Sequence, residues 1–180
     1  MSFPHHSKPN NELSLAYRIS RVGILSALAV VGRLALAVIP NVQPVSVIIL
    51  IITLTMGTID GMLVAVLSIL LSNILLGMGP WTLAQIASYV IISLLTGWFV
   101  RPFYKPNAMA NRIAIAVYAG FTGLLYGFII SIFMVKMFGV VAFWPYYLRG
   151  IPFDLMHAGG NIAFYFILEP ILSRILLRQK

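Results

Sequence analysis

The sequence has no cysteine and very little charge. Its 180 residues include no Cys, and only 9% of them are Asp, Glu, Lys or Arg. The lack of cysteine excludes disulfide bonds, thiolate catalysis and cysteine-based zinc or iron–sulfur sites. Because soluble domains carry about 25% charged residues, this chain has too few polar side chains to cover a water-soluble globule. A soluble enzyme, a nucleic-acid-binding domain and a disordered chain are therefore excluded.

Acidic residues are especially scarce, with 4 Asp and Glu against 12 Lys and Arg, which gives a net charge of +8. A basic balance often indicates nucleic acid. Here, however, the basic residues mostly stand singly beside apolar runs, as they do in proteins that orient themselves in a membrane. The chain also has no Walker A sequence and no HExxH motif. We therefore expect no nucleic-acid partner, no catalytic residue, and no metal or cofactor held by the chain.

The sequence is rich in apolar residues: 61% of its residues are hydrophobic and the mean hydropathy is +0.99. The apolar runs are long enough for membrane helices and are separated by turns that contain proline or glycine. They predict an all-α integral membrane protein, with a cytoplasmic tail over residues 1–17 and one six-helix transmembrane domain over residues 18–180. The predicted helices are 18–39, 45–58, 62–76, 81–100, 113–137 and 151–176.

The basic residues predict how this bundle is oriented. Nine of the twelve lie in the N-terminal tail, at the start of the first helix, in the linker over 101–112 or at the C-terminus, and the other three are Arg33, Lys136 and Arg149. Because cytoplasmic segments carry the excess of Lys and Arg, both termini are expected in the cytoplasm. The loops over 40–44, 77–80 and 138–149 are then expected to face outside.

Polar side chains are concentrated in the outer half of the predicted bundle, where burying them in a membrane is costly. Asp154, His157 and Asn161 are spaced three and four apart, so they share one face of the last helix. They could line a cavity for a polar ligand, or form a network within the bundle in which Arg33 pairs with Asp154. The further candidate binding residues are Asn41, Gln43, Asn73, Trp81, Gln85, Trp144, Tyr146, Tyr147 and Arg149.

Two further features have alternative interpretations. The aromatic residues of the outer loops are typical of an interfacial belt, but they could also form a lid that stacks on a ligand. In the first helix, Gly23 and Ala27 are four residues apart, a spacing that lets another membrane helix approach closely.

Three segments carry a resemblance to a known family. The segment PNVQPV at 40–45 resembles the first external loop of the S-components of energy-coupling factor (ECF) transporters, and GMGPWT at 77–82 resembles a further loop of these proteins. The segment RGIPFDxxH at 149–157 resembles the start of their last helix. The resemblance extends over about residues 15–177.

This resemblance implies a substrate-binding subunit of a bacterial plasma membrane that captures a vitamin. The loops look most like those of the cobalamin-specific subset, so cobalamin or a precursor is the expected substrate, with a queuosine precursor, pantothenate or a riboflavin-like vitamin as alternatives. The implied partners are a transmembrane T-component and two ABC-type ATPases, which hydrolyse the ATP. Gly23-x-x-x-Ala27 stands where the family has an Ala-x-x-x-Ala docking motif.

Two other classes of function are compatible with the same residues. One is a self-sufficient carrier driven by protons, since His157 titrates near neutrality when it is unperturbed. The other is a small membrane hydrolase built on Asp154 and His157.

Overall fold

The computed structural model describes residues 11–106 and 108–177. This part of the chain forms six α-helices and no β-strand: α1 (Asn11–Ala35), α2 (Val45–Thr55), α3 (Thr58–Leu76), α4 (Trp81–Leu95), α5 (Met109–Phe138) and α6 (Phe143–Leu177). A π-helical turn, Thr96–Val100, and a 3₁₀ turn, Arg101–Phe103, extend α4. The prediction of an all-helical membrane protein is confirmed, because five of the helices are long and apolar enough to cross a membrane.

The exception is α2, which has 11 residues, all of them buried. At 1.5 Å per residue it is about 17 Å long, much shorter than a hydrocarbon core of about 30 Å. It packs against each of the other five helices, and α5 and α6 pack extensively against each other. A helix that is apolar on every side is stable where neighbours surround it. The number of membrane crossings and the orientation of the termini stay predictions.

Two ion pairs mark one end of the bundle. Arg18 near the start of α1 contacts Asp60 at the start of α3, with 2.6 Å between Nε and Oδ1. Arg112 at the start of α5 contacts Glu169 near the end of α6, with 3.1 Å between Nε and Oε2. A cavity at this end is lined by the ends of α2 and α6 and by the turns that extend α4. The described part of α1 begins at this end of the bundle, and that of α6 finishes there. We call it the Arg18 end.

The start of α6 differs from the prediction. The helix begins at Phe143, so the loop expected over 138–149 is reduced to residues 139–142. Pro145 lies in the first turn, where a missing N–H costs no helical hydrogen bond. Pro152 lies inside the helix, as membrane helices allow when neighbouring groups satisfy the freed backbone.

Other boundaries also differ, among them the start of α5, which lies at Met109 and not at residue 113. The turn expected over 59–61 lies at residues 56–57, because Gly57 has a φ of 132°, which ends α2 before α3 begins at Thr58. Helix α1 ends at Ala35 rather than at residue 39, and it already includes residues 11–17 of the expected tail. The rest of that tail, 1–10, and the basic C-terminus at 178–180 lie outside the described residues.

A seam of glycines lets α5 approach α6 closely. Gly120, Gly123 and Gly127 face α6, and a Cβ at Gly123 would lie 2.7 Å from the backbone nitrogen of Ala158. A Cβ at Gly127 would overlap the Asp154 carboxylate. Small residues at such spacing let backbones approach closely in membrane bundles, and here they allow α6 to pack closely against α5.

Candidate functional site

Arg33 is the hub of a buried polar network near the opposite end of the bundle. Its side chain is only 8% exposed. Nη1 donates to Ser72 Oγ at 2.5 Å and to Asn73 Oδ1 at 2.9 Å, and Nε donates to Gln43 Oε1 at 3.3 Å. The pairing of Arg33 with Asp154 that the sequence left open is not formed, because α3 and the α1–α2 loop supply these partners instead.

Asn73 carries this network from α3 to α4. Its Nδ2 donates to Thr82 Oγ1 at 2.8 Å and to Gln85 Oε1 at 2.7 Å. Asn73 is 1% exposed, and both its oxygen and its nitrogen are satisfied. The network therefore fixes α1, α3 and α4 relative to one another around Arg33.

A second group joins α2, α4, α5 and α6. Ser46 Oγ lies 2.9 Å from Tyr89 Oη and 2.7 Å from His157 Nε2. The Tyr126 ring is 4.8 Å from the Tyr89 ring between centroids, and it meets the His157 ring edge-on at 5.0 Å. These contacts join Ser46, Tyr89, Tyr126 and His157 into one group of aromatic and polar side chains, which we call the floor of the site.

Two cavities meet at this floor. The inner chamber has a volume of about 80 Å³ and is lined by Arg33, Asn41, Gln43, Val45, Gln85, Tyr89, Tyr126 and His157. The outer cavity has a volume of about 620 Å³ and is lined by Pro40, Asn41, Gln85, Tyr126, Gly127, Ile130, Ser131, Tyr146, Arg149, Gly150, Phe153 and Asp154. Asn41, Gln85 and Tyr126 line both cavities, so the two form one site at what we call the Asn41 end.

Asn41 shapes the opening through its backbone as well as its side chain. Its φ of 58° is in the left-handed region, and among the described residues other than glycine no other has a positive φ. Asparagine tolerates this conformation better than most residues. The α1–α2 loop can therefore turn back over the site while placing an amide at its mouth.

The polar stripe of α6 is buried in the bundle. Asp154, His157, Asn161 and Tyr165 are all at most 5% exposed. Each keeps one atom with no hydrogen-bond partner among the described residues: Asp154 Oδ2, His157 Nδ1, Asn161 Oδ1 and Tyr165 Oη. An unsatisfied buried polar group costs about 1–3 kcal/mol, so this face carries a cost that the described residues do not offset.

The predicted aromatic residues divide into two groups. Tyr146 lines the outer cavity together with Arg149. Trp144 and Tyr147 pack in an aromatic cluster with Phe128 and Phe143 and line neither cavity. Of the other sequence candidates, Asn73, Trp81 and Asn161 also lie outside both linings. The binding roles of all these residues stay predictions.

The sequence did not single out Ser46, Tyr89 or Tyr126, which belong to the floor. One signal was available for Ser46, since it is the first polar residue in a helix that is otherwise almost wholly apolar. Single tyrosines in long apolar helices carry no comparable signal.

Comparison with known proteins identifies the family. The model of the ECF transporter, substrate-specific component family matches residues 17–169, far more than half of the chain. Neither the curated proteins nor the solved structures gave a significant match. The matched region contains all six helices except the outermost ends of α1 and α6, and it includes every residue that lines the two cavities. The chain therefore belongs to the family of substrate-specific components of ECF transporters.

Proposed function

We propose that this S-component captures a vitamin or vitamin precursor at its Asn41 end, and that a T-component and two ABC-type ATPases then drive import. The observation that carries the proposal is the continuous site formed by the inner chamber and the outer cavity, to which α1, α2, α4, α5, α6 and the α1–α2 loop all contribute. The basic residues near the Arg18 end support an orientation in which the Asn41 end faces outside.

Cobalamin or a precursor is the first substrate to test, because the external loops resemble those of the cobalamin-specific subset. The volume of the outer cavity supports the smaller alternative substrates. About 620 Å³ lies within the range of about 300–1,000 Å³ that encloses drug-sized ligands. Pantothenate or a riboflavin-like vitamin would be enclosed, whereas the larger corrin ring of cobalamin would project from the opening. A queuosine precursor would also be enclosed.

Substrate binding is tested on the purified full-length chain by calorimetric titration with each of these vitamins. We expect one of them to bind without any partner subunit, and we expect Asn41→Ala and Asp154→Ala to weaken binding at least tenfold. Trp98→Ala is the matched control, because Trp98 is 66% exposed on the extension of α4 and lines neither cavity. Unchanged affinity in both site variants would refute the proposed location.

The need for partner subunits is tested in liposomes. With this chain alone, we expect no substrate uptake, even under a pH gradient. With the T-component and ATPases added, uptake should depend on ATP. Uptake by the isolated chain driven by protons would instead support the self-sufficient carrier, and turnover that His157→Ala abolishes would support the hydrolase.

We propose that the exposed side of α1 contacts the T-component. Gly23 and Ala27 are exposed, and a Cβ at Gly23 would meet nothing within 4 Å. Helix α1 packs against α2 and α3, which leaves this small-residue face available for the close approach of another helix.

Docking is tested by co-purification with the T-component and ATPases. Gly23→Leu and Ala27→Leu should reduce the recovered complex while the isolated variants still bind substrate. Ala114→Leu, at an exposed position of α5, should leave recovery unchanged. Recovery of a full complex with both α1 variants would show that another face docks.

A further inference from the structure

Arg33 is a buried cation without an acidic partner among the described residues. The two ion pairs in this part of the chain involve other residues, near the Arg18 end. The partners of Arg33 are the neutral side chains Gln43, Ser72 and Asn73. Burying an unpaired charge is unfavourable, so a counter-charge from outside the chain would stabilise this arrangement.

The guanidinium keeps unused donors. Arginine has five N–H groups and no acceptor. Nε and Nη1 make the three hydrogen bonds of Arg33, and Nη2 has no partner among the described residues. Because Arg33 also lines the inner chamber, a group bound in that chamber is within reach of this cation.

The amides around Arg33 are oriented by it. Since arginine only donates, Gln43 and Asn73 must present their oxygens to it. The Asn73 nitrogen can only donate, so Gln85 must present Oε1 in turn. Gln43 Nε2 therefore remains as a donor with no partner among the described residues, whereas Gln85 Nε2 is directed to the side chain of Tyr126.

The inner chamber thus offers N–H donors from Arg33 and Gln43 to whatever occupies it. A carboxylate or phosphate oxygen only accepts hydrogen bonds, and such charge-assisted bonds are the stronger kind. A chamber of about 80 Å³ has room for one small head group but not for a ring system, so the rest of the ligand would lie in the outer cavity.

We propose that the substrate carries an anionic group, a carboxylate or a phosphate diester, which pairs with Arg33 in the inner chamber. This inference rests on the proposed function and narrows its substrates. It favours pantothenate, which has a carboxylate, and cobalamin, which has a phosphodiester. It disfavours neutral riboflavin and a queuosine precursor that carries an amine.

The test compares matched pairs of ligands on the purified full-length chain. One pair is pantothenate and pantothenol, in which an alcohol replaces the carboxylate. The other is cobalamin and cobinamide, which lacks the phosphodiester together with the ribose and base attached to it, so the Arg33 variants are needed in this pair to assign a difference to the anion. In whichever pair binds, we expect the anionic member to bind at least tenfold more tightly. Arg33→Gln should abolish this preference and Arg33→Lys should retain part of it, while Arg101→Gln, at the Arg18 end, should leave it unchanged.

The outcomes separate the two proposals. Equal affinity for both members of a binding pair, tighter binding of the neutral member, or a preference that survives in Arg33→Gln would overturn the role of Arg33 while leaving the S-component intact. If no vitamin binds, the proposed function fails and the inference fails with it. Because the preference is a ratio within one protein, its absence from the wild type would overturn the role of Arg33 even if the Arg33 variants do not fold.

Discussion

Replacing Gly123 by alanine tests whether the glycine seam holds α6 in place. The new Cβ would lie 2.7 Å from the Ala158 nitrogen and 3.0 Å from its Cα. Both are backbone atoms, so they cannot move away as the end of a side chain can. The substitution must therefore push α5 and α6 apart, and with them the cavity wall that carries Asp154.

The size of the effect follows from two opposing contributions. Overpacking a well-packed core costs about 1–3 kcal/mol, whereas removing a glycine from a helix stabilises it by about 0.5–1 kcal/mol. We expect Gly123→Ala to lose about 1–2 kcal/mol of stability in total. Gly159→Ala is the matched control on α6, because a Cβ at Gly159 meets nothing within 4 Å. It should be neutral or slightly stabilising.

The assay is thermal unfolding of both purified variants in one detergent, followed by intrinsic fluorescence. One kcal/mol corresponds to about 2–4 °C in a protein of this size, so the midpoint of Gly123→Ala should fall by several degrees. Its affinity for substrate should fall as well. If Gly123→Ala is as stable as Gly159→Ala and binds normally, the close contact of α5 with α6 is refuted.

Three further predictions concern other parts of the chain. Asn41→Gly keeps the left-handed backbone but removes the amide, so titration should show weaker binding while the unfolding midpoint is unchanged; a lower midpoint would contradict this. Arg112→Met leaves Glu169, 3% exposed, without its cation, and should cost about 1–3 kcal/mol in thermal unfolding, the cost of leaving a buried acceptor unsatisfied; an unchanged midpoint would contradict this. Burial raises the pKa of Tyr104 to about 12, so the folded chain keeps a proton that the unfolded chain releases above about pH 10. Stability should fall between pH 10 and 12, and less steeply in Tyr104→Phe; identical pH profiles would refute the shift.

The helical class was predictable from the sequence, but two details of the fold were not. Apolar runs and few charges indicate membrane helices whatever their contacts. A helix that is apolar all round, such as α2, looks the same whether it crosses the membrane or is enclosed by other helices. The start of α6 was missed because Pro145 and Pro152 suggest a loop, although a proline in a first turn is compatible with a helix.

The polar residues of the site were predictable because membranes make them costly, and this reasoning found Arg33, Gln85 and His157. Their partners could not be predicted in the same way. Arg33 is bonded to residues 39 and 40 positions away, and Ser46 lies 111 positions from His157. Such contacts depend on how the helices pack, which the periodicity of a single helix does not specify.

An experimental structure of the chain with its bound substrate tests the central claim most directly. The substrate should lie at the Asn41 end, in contact with Gln85 and Tyr126, with its anionic group beside Arg33. A substrate bound at the Arg18 end, in a cavity lined by Arg112 and Glu169, would contradict this.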